Sequence, residues 1–201
     1  MRPTWSRLLG LLVLTCSNNA CLLPADDVVV VSPVGASPPQ VDLRSLDPRE
    51  GRLEISRTDC RTFEVKVGAI WDEDDETLLF RWVANNDLHS TRQLRQERIG
   101  APLGERRPST ALVDPQRFFP EEWDLTDPSR PDSAPTALGI LSLFITDAPE
   151  WQDPMPDLSG NQAQDLSLIV SPETDGGESP YSVVEVRWGV LIGQDFPRCE
   201  Y

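Results

Sequence analysis

The sequence predicts an all-β protein, an antiparallel β-sandwich with long loop insertions, preceded by a signal peptide and a flexible tether. Three observations lead there. Residues 63–85, FEVKVGAIWDEDDETLLFRWVAN, hold two strand patterns around an acidic turn. Residues 182–192 alternate cleanly, with Val184, Val186, Trp188, Val190 and Ile192 on one side and Glu185, Arg187 and Gly189 on the other. The 19 Pro and 12 Gly are spread among short apolar runs, and no amphipathic helix or strand–helix alternation intervenes, which is the pattern of strands joined by turns. A chain of 201 residues is long enough for one domain with a sizeable core.

In chain order, residues 1–20 carry Arg2 and Arg7, then an apolar run from Leu8 to Leu14, then a polar stretch ending in Ala20. This is the layout of a secretory signal peptide. The apolar run is far shorter than the ~20 residues a spanning helix needs. Two cysteines follow the run, Cys16 with Val13 three residues before it, and Cys21 directly after Ala20. This region resembles the cleavage site of bacterial lipoproteins, and the resemblance implies that a cysteine becomes the acylated first residue of the mature chain. Cys21 is the expected site and Cys16 the alternative. Parity favours Cys21, because cleavage before it leaves Cys60 and Cys199 as a pair, whereas cleavage before Cys16 leaves an odd thiol. The competing reading is plain secretion by cleavage after Ala20.

Removing Arg2 and Arg7 leaves 18 minus 2, or 16, basic residues against 33 acidic ones, a net charge of −17. Such a chain repels nucleic acid, which is excluded as a partner.

Residues 21–40 mix Pro24, Pro33, Pro38 and Pro39 with small residues and read as an extended tether. The four valines 28–31 have strand propensity and admit a second reading as an edge strand; flanking prolines favour the tether. The folded domain is expected over residues 41–201. Residues 41–46 and 52–56 are candidate edge strands, separated by the turn formers Asp47, Pro48 and Gly51. Next, Phe63, Val65, Val67, Ala69 and Trp71 share one side of a strand, with Ile70 breaking the alternation. In the following arm Leu78, Phe80 and Trp82 alternate with Leu79, Arg81 and Val83, giving a hairpin-like corner. Residues 91–99 fit a solvent-facing strand or a short helix. Residues 101–135, rich in Pro, Arg and Asp, read as an insertion anchored by Phe118, Phe119 and Trp123. Residues 138–146 resume the strand pattern, and 151–180 read as loop, with a short strand over 166–170.

Over residues 60–192 the chain resembles the immunoglobulin-like and PKD-like domains of bacterial surface proteins. The resemblance is carried by Asp72, Asp74 and Asp75 before a strand with Trp82, and by a later strand ending in Asp147. It implies an immunoglobulin-like sandwich used for adhesion, spacing or recognition outside the cytoplasm. No cysteine lies on either central strand and no tyrosine corner is visible, which departs from the antibody type.

The chemistry-bearing residues are few. His89 is the single histidine and no serine or cysteine stands in a nucleophile motif, so a triad or histidine-rich metal centre is not expected. With 33 acidic residues, a carboxylate pair at glycosidase spacing carries no information. The expectation is a protein that is not an enzyme. Asp72, Asp74 and Asp75, joined by Asp147 if the strand ends meet, are candidate calcium ligands of hard oxygen; a solvated turn in an acidic chain is the plainer reading. Trp71, Trp82 and Trp188 are expected in the core. Trp123 and Trp151 lie in loops, where they cover the ends of the sandwich or stack on a sugar. Cys60 and Cys199 flank the strand pattern and are expected to pair in an oxidising compartment. Together these readings give a non-enzymatic cell-envelope protein held to the membrane by a lipid anchor, with an unidentified protein or glycan partner. A secreted or periplasmic protein that binds or hydrolyses carbohydrate on the same scaffold is the alternative.

Overall fold

Alternating apolar side chains build two sheets that share one core. The computed structural model describes residues 28–32, 37–49, 51–58, 61–73, 77–85, 92–100, 106–152, 170, 181–194 and 196. Ten strands appear among them: β1 Val28–Val31, β2 Gln40–Val41, β3 Leu46–Asp47, β4 Arg52–Ser56, β5 Phe63–Trp71, β6 Leu78–Ala84, β7 Arg92–Ile99, β8 Arg107–Val113, β9 Thr136–Thr146 and β10 Val183–Gly193. The protein is all-β apart from a 3-10 turn at Leu43–Ser45 and two short helices, α1 Pro115–Phe118 and α2 Pro120–Leu125.

The larger sheet runs β1-β10-β9-β6-β7, with β4 also on β10; the smaller has β5 at its centre, β2 and β3 on one side and β8 on the other. β10 pairs with β9 over its whole length, from Val183 opposite Thr146 to Gly193 opposite Thr136. Its other edge is divided. β1 takes Val183 to Val186 in antiparallel register, and β4 takes Gly189 to Gly193 in parallel register. The expectation of a purely antiparallel arrangement is therefore corrected: the sheet is mixed. The reason is topological, since the chain leaves β3 in the smaller sheet and reaches β10 after residues 48–51 without reversing through a hairpin.

Of the two readings open for the four valines, the structure shows the edge strand, with Val28 packed against the core. The corner around the acidic turn is a crossing between sheets. β5 and β6 do not pair with each other; β5 pairs with β2, β3 and β8, and β6 with β7 and β9. Ile70, which breaks the alternation of β5, follows a register shift between Val67 and Ile70 and is fully buried. Residues 92–99 form the strand rather than the helix. The stretch read as an insertion, 101–135, contains β8 and both helices.

The shared core draws Phe63, Val65 and Val67 from β5, Leu78, Phe80 and Trp82 from β6, Leu141, Leu143 and Ile145 from β9, and Val184 to Ile192 at alternate positions from β10. At its centre the indoles of Trp82 and Trp188 stack, centroids 5.5 Å apart and 24° between planes, a contact worth about 0.5–1.5 kcal/mol beyond area burial. Both polar ends are satisfied. Trp82 Nε1 donates to Ser109 Oγ of the facing sheet at 2.8 Å, and Trp188 Nε1 donates to the Pro48 carbonyl at 3.3 Å. Trp71 is half-buried. A second cluster, Leu79, Val83, Phe144, Val183, Ala148, Trp151 and Val170, covers the outer face of the larger sheet.

The helices close one end of the core, as the aromatic anchors suggested: Phe119 is fully buried and Trp123 packs against the cluster. Proline begins each helix, where its missing N–H is harmless, and Asp114 caps α1 through Arg117 N. A buried polar latch holds α2. Asn85 has φ 56°, a left-handed conformation that Asn tolerates. Its Nδ2 donates to both carboxylate oxygens of Glu122 at 3.2 and 3.1 Å, while its Oδ1 accepts from Ile140 N at 3.1 Å. Beyond α2, Asp127 accepts from the Ser129 backbone N–H and hydroxyl and faces Arg57 and Arg130, which together hold its carboxyl below the ordinary aspartate range.

Gly139 makes this end close-packed. A Cβ there would lie 2.4 and 2.8 Å from two ring atoms of Phe119 and 3.2 Å from Asn85 Oδ1. Gly139→Ala is expected to destabilise the protein by about 1–3 kcal/mol through overpacking against the fully buried ring of Phe119. Denaturant unfolding measures it, and an unchanged midpoint would contradict the packing described.

Candidate functional site

Strand register gathers onto the outer face of the smaller sheet charged side chains that lie far apart in sequence. β3 lies on β5 with Asp47 opposite Lys66 and Leu46 opposite Val67. The turn before β3 is set by local bonds: Asp42 Oδ1 accepts from Arg44 N at 3.0 Å, and Ser45 Oγ donates to the Asp42 carbonyl at 2.7 Å and accepts from Ala69 N at 2.9 Å. Gly68 permits the close approach, since a Cβ there would stand 3.2 Å from the Ser45 carbonyl oxygen and 3.3 Å from Ser45 Cβ. Arg44, Arg49 and Lys66 consequently line one depression of about 470 Å³ together with Asp47. A second, about 410 Å³, adjoins it across Asp47 and Lys66 and is bordered by Glu64 and by Leu112, which is 66 % exposed.

Six other arginines are committed, Arg52 to Glu54, Arg57 to Asp127, Arg92 to Glu121, Arg95 to Glu97, Arg130 to Asp132 and Arg187 to Glu185, whereas the exposed Arg61 and Arg106 join no ion pair among the described residues. Among the described residues, no ion pair or hydrogen bond engages the side chain of Arg44, Arg49 or Lys66. Three solvated cations thus surround one depression in a chain of net charge −15, with Asp42, Asp47 and Glu64 as the nearby acids among the described residues. The arrangement offers donors and positive charge to an anionic surface or group.

A second polar group lies on the outer face of the larger sheet and serves structure. Glu185, fully buried, accepts from Ser142 Oγ at 2.6 Å and from Arg187 Nε and Nη2 at 3.1 and 2.8 Å. Arg81 lies 4.9 Å over the Trp151 ring and donates to Gln96 Oε1 at 3.0 Å. A serine whose neighbouring carboxylate is already held bidentately by an arginine is a hydrogen-bond donor, and Trp151 is a buried cover rather than a platform for a sugar.

Of the residues singled out from sequence, Cys16, Cys21, Cys60, Cys199, Asp74, Asp75 and His89 lie outside the described residues. Asp72 is buried at the end of β5. Asp147 follows β9 at the same end of the molecule, where Thr146 pairs with Leu79 at the start of β6. Its Oδ1 accepts from Ser182 N at 2.9 Å, closing the approach into β10. Among the described residues no three acidic, His or Cys side chains group closely enough to hold a metal ion, and no helix is long and apolar enough to cross a membrane. The cation-lined depression was not foreseen; its one sequence signal is that Lys66 is the only lysine of the chain.

The calcium reading of the turn is tested by thermal melting at millimolar calcium. If Asp72, Asp74 and Asp75 bind the ion, calcium raises the melting temperature of the wild type and not of the triple Asn variant; an unchanged wild-type melt leaves the turn as a plain solvated surface. Comparisons with protein-family models, with curated proteins and with solved structures each return no match.

Proposed function

We propose that this chain is an exported, lipid-anchored protein of the bacterial cell envelope, and that its folded part is an immunoglobulin-like β-sandwich acting as a non-enzymatic interaction or structural module. The observation that carries the reading is the N-terminal sequence, in which a basic start, an apolar run and a polar stretch ending in Ala20 lead directly to Cys21. Supporting the sandwich are the two sheets with their shared core, a buried Trp on β6, and a divided first edge in which β4 runs parallel to the last strand. Supporting a binding role is the contrast between polar groups consumed in holding the fold, such as Glu185 and Glu122, and the uncommitted cations at the depression.

The anchor is tested on membrane-extracted protein. Intact mass spectrometry is expected to show an acylated Cys21, and Cys21→Ser to release the protein or leave its precursor uncleaved; lipid on Cys16 moves the site, and a plain N-terminus after Ala20 refutes the anchor. Peptide mapping of the same sample without reductant is expected to recover Cys60 joined to Cys199, a bond that encloses 199 minus 60, or 139, residues and contributes roughly 5 kcal/mol in the chain-entropy picture. Free, alkylatable thiols at both positions would refute the pairing.

A further inference from the structure

The strand Val28–Val31 shortens the distance between the proposed anchor and the folded domain. With β1 on the edge of β10, only residues 22–27 separate Cys21 from Val28, a length of chain that spans at most about 24 Å when fully extended. The whole domain must therefore stay close to whatever surface holds Cys21. Its orientation is set by where Val28 lies.

That position is on one margin of the molecule. Val28 pairs with Val186, and Arg52 pairs with Gly189, three residues farther along the same edge of β10, or roughly 10 Å at strand spacing. The margin of the smaller sheet is on this side too, because residues 48–51 link β3 directly to β4, Gly189 N donates to the Gly51 carbonyl at 2.7 Å, and Trp188 Nε1 reaches the Pro48 carbonyl. The opposite margin is where β7 meets β8, with Arg95 Nη1 on the Thr110 carbonyl at 2.8 Å. Arg44 and Arg49 flank β3, and Lys66 is the register partner of Asp47. The cation-lined depression and the exit of the anchor chain thus share a margin, while Leu43, 50 % exposed, stands beside Arg44.

We propose that this margin is the membrane-docking face of the anchored domain, with Arg44, Arg49 and Lys66 resting on the anionic phospholipid headgroups of the bilayer that holds the lipid. The inference rests on the lipid-anchor reading. Charge complementarity favours the face: the mature chain, of net charge −17 once Arg2 and Arg7 are removed, is repelled by an anionic bilayer over most of its surface, and the three uncommitted cations gathered beside the anchor exit are drawn to the headgroups. Asp42, Asp47 and Glu64 on the same side weaken the attraction and keep it reversible. The lipid supplies attachment, and the cations supply orientation.

Lys66, as the single lysine, reports the contact directly. The acylated mature protein is reconstituted into phosphatidylcholine vesicles with or without phosphatidylglycerol, and a neutral acetylating reagent is applied; the rate at Lys66 is read by peptide mass. A Gln93→Lys variant, exposed on β7 at the opposite margin, gives the reference rate. At low salt, acetylation of Lys66 relative to that reference is expected to fall on the order of fivefold in the anionic vesicles. The protection is expected to vanish at molar salt, where the screening length drops to about 3 Å, and in the Arg44→Glu/Arg49→Glu variant. Should that variant fold poorly, the salt dependence of the wild type decides alone. Equal relative rates in both vesicle types, on protein that floats with the vesicles and carries the acyl mass, would overturn the docking face and leave the anchor standing. Protein without acyl mass that does not float would overturn the anchor, and the docking face with it.

Discussion

The molecule depends on a single strand being paired along both sides. β10 is bonded over its whole length to β9 and over most of its other edge to two segments that come from opposite parts of the N-terminal region. Neither segment is long: β1 has four residues and β4 five. Together they cover an edge that would otherwise present a long row of unpaired backbone groups. They also fix the path of the chain, because one N-terminal run must supply β1, cross to the smaller sheet for β2 and β3, and return for β4. The placement of the anchor exit, the cation-lined depression and the indole of Trp188 under Pro48 all follow from that path.

Between the sheets, specificity comes from a few buried polar bonds set in an apolar core. Trp82 offers its ring to Trp188 and its N–H to Ser109, and Ser109 Oγ in turn donates to Glu97 of β7. One side chain thereby ties the centre of the larger sheet to β8 and back to β7. Asn85 does similar work at the helical end, where a left-handed residue, a helix and β9 meet at one amide. Such bonds contribute modestly when made, but a wrong strand register would leave buried groups unsatisfied at about 1–3 kcal/mol each. They act mainly against alternatives.

The sequence makes strands legible where apolar residues alternate without interruption, as in β5, β6, β9 and β10. It conceals β8, because the inward positions of that strand are Arg107, Ser109, Ala111 and Val113; two of the four are polar, and their partners lie on other strands. Periodicity also does not say which strands pair. The arms around the acidic turn look like a hairpin from local pattern alone, yet Phe80 and Val65 belong to different sheets. The four valines show the same limit from the other direction, since their edge position exists only through Val183 to Val186, some 150 residues away. The cation-lined depression is of this kind as well. Arg44, Arg49 and Lys66 meet only through the pairing of β3 with β5, and nothing in their spacing announces it.

The central claim is that Val28–Val31 belongs to the folded domain and so brings the anchor up to its margin. Hydrogen–deuterium exchange of the full chain, followed by mass spectrometry of peptides covering residues 28–31 and 183–186, tests it most directly. The structure predicts that amides in both peptides exchange slowly and open together, as two halves of one ladder. Exchange over residues 28–31 at the rate of an unstructured peptide, with 183–186 still protected, would contradict it.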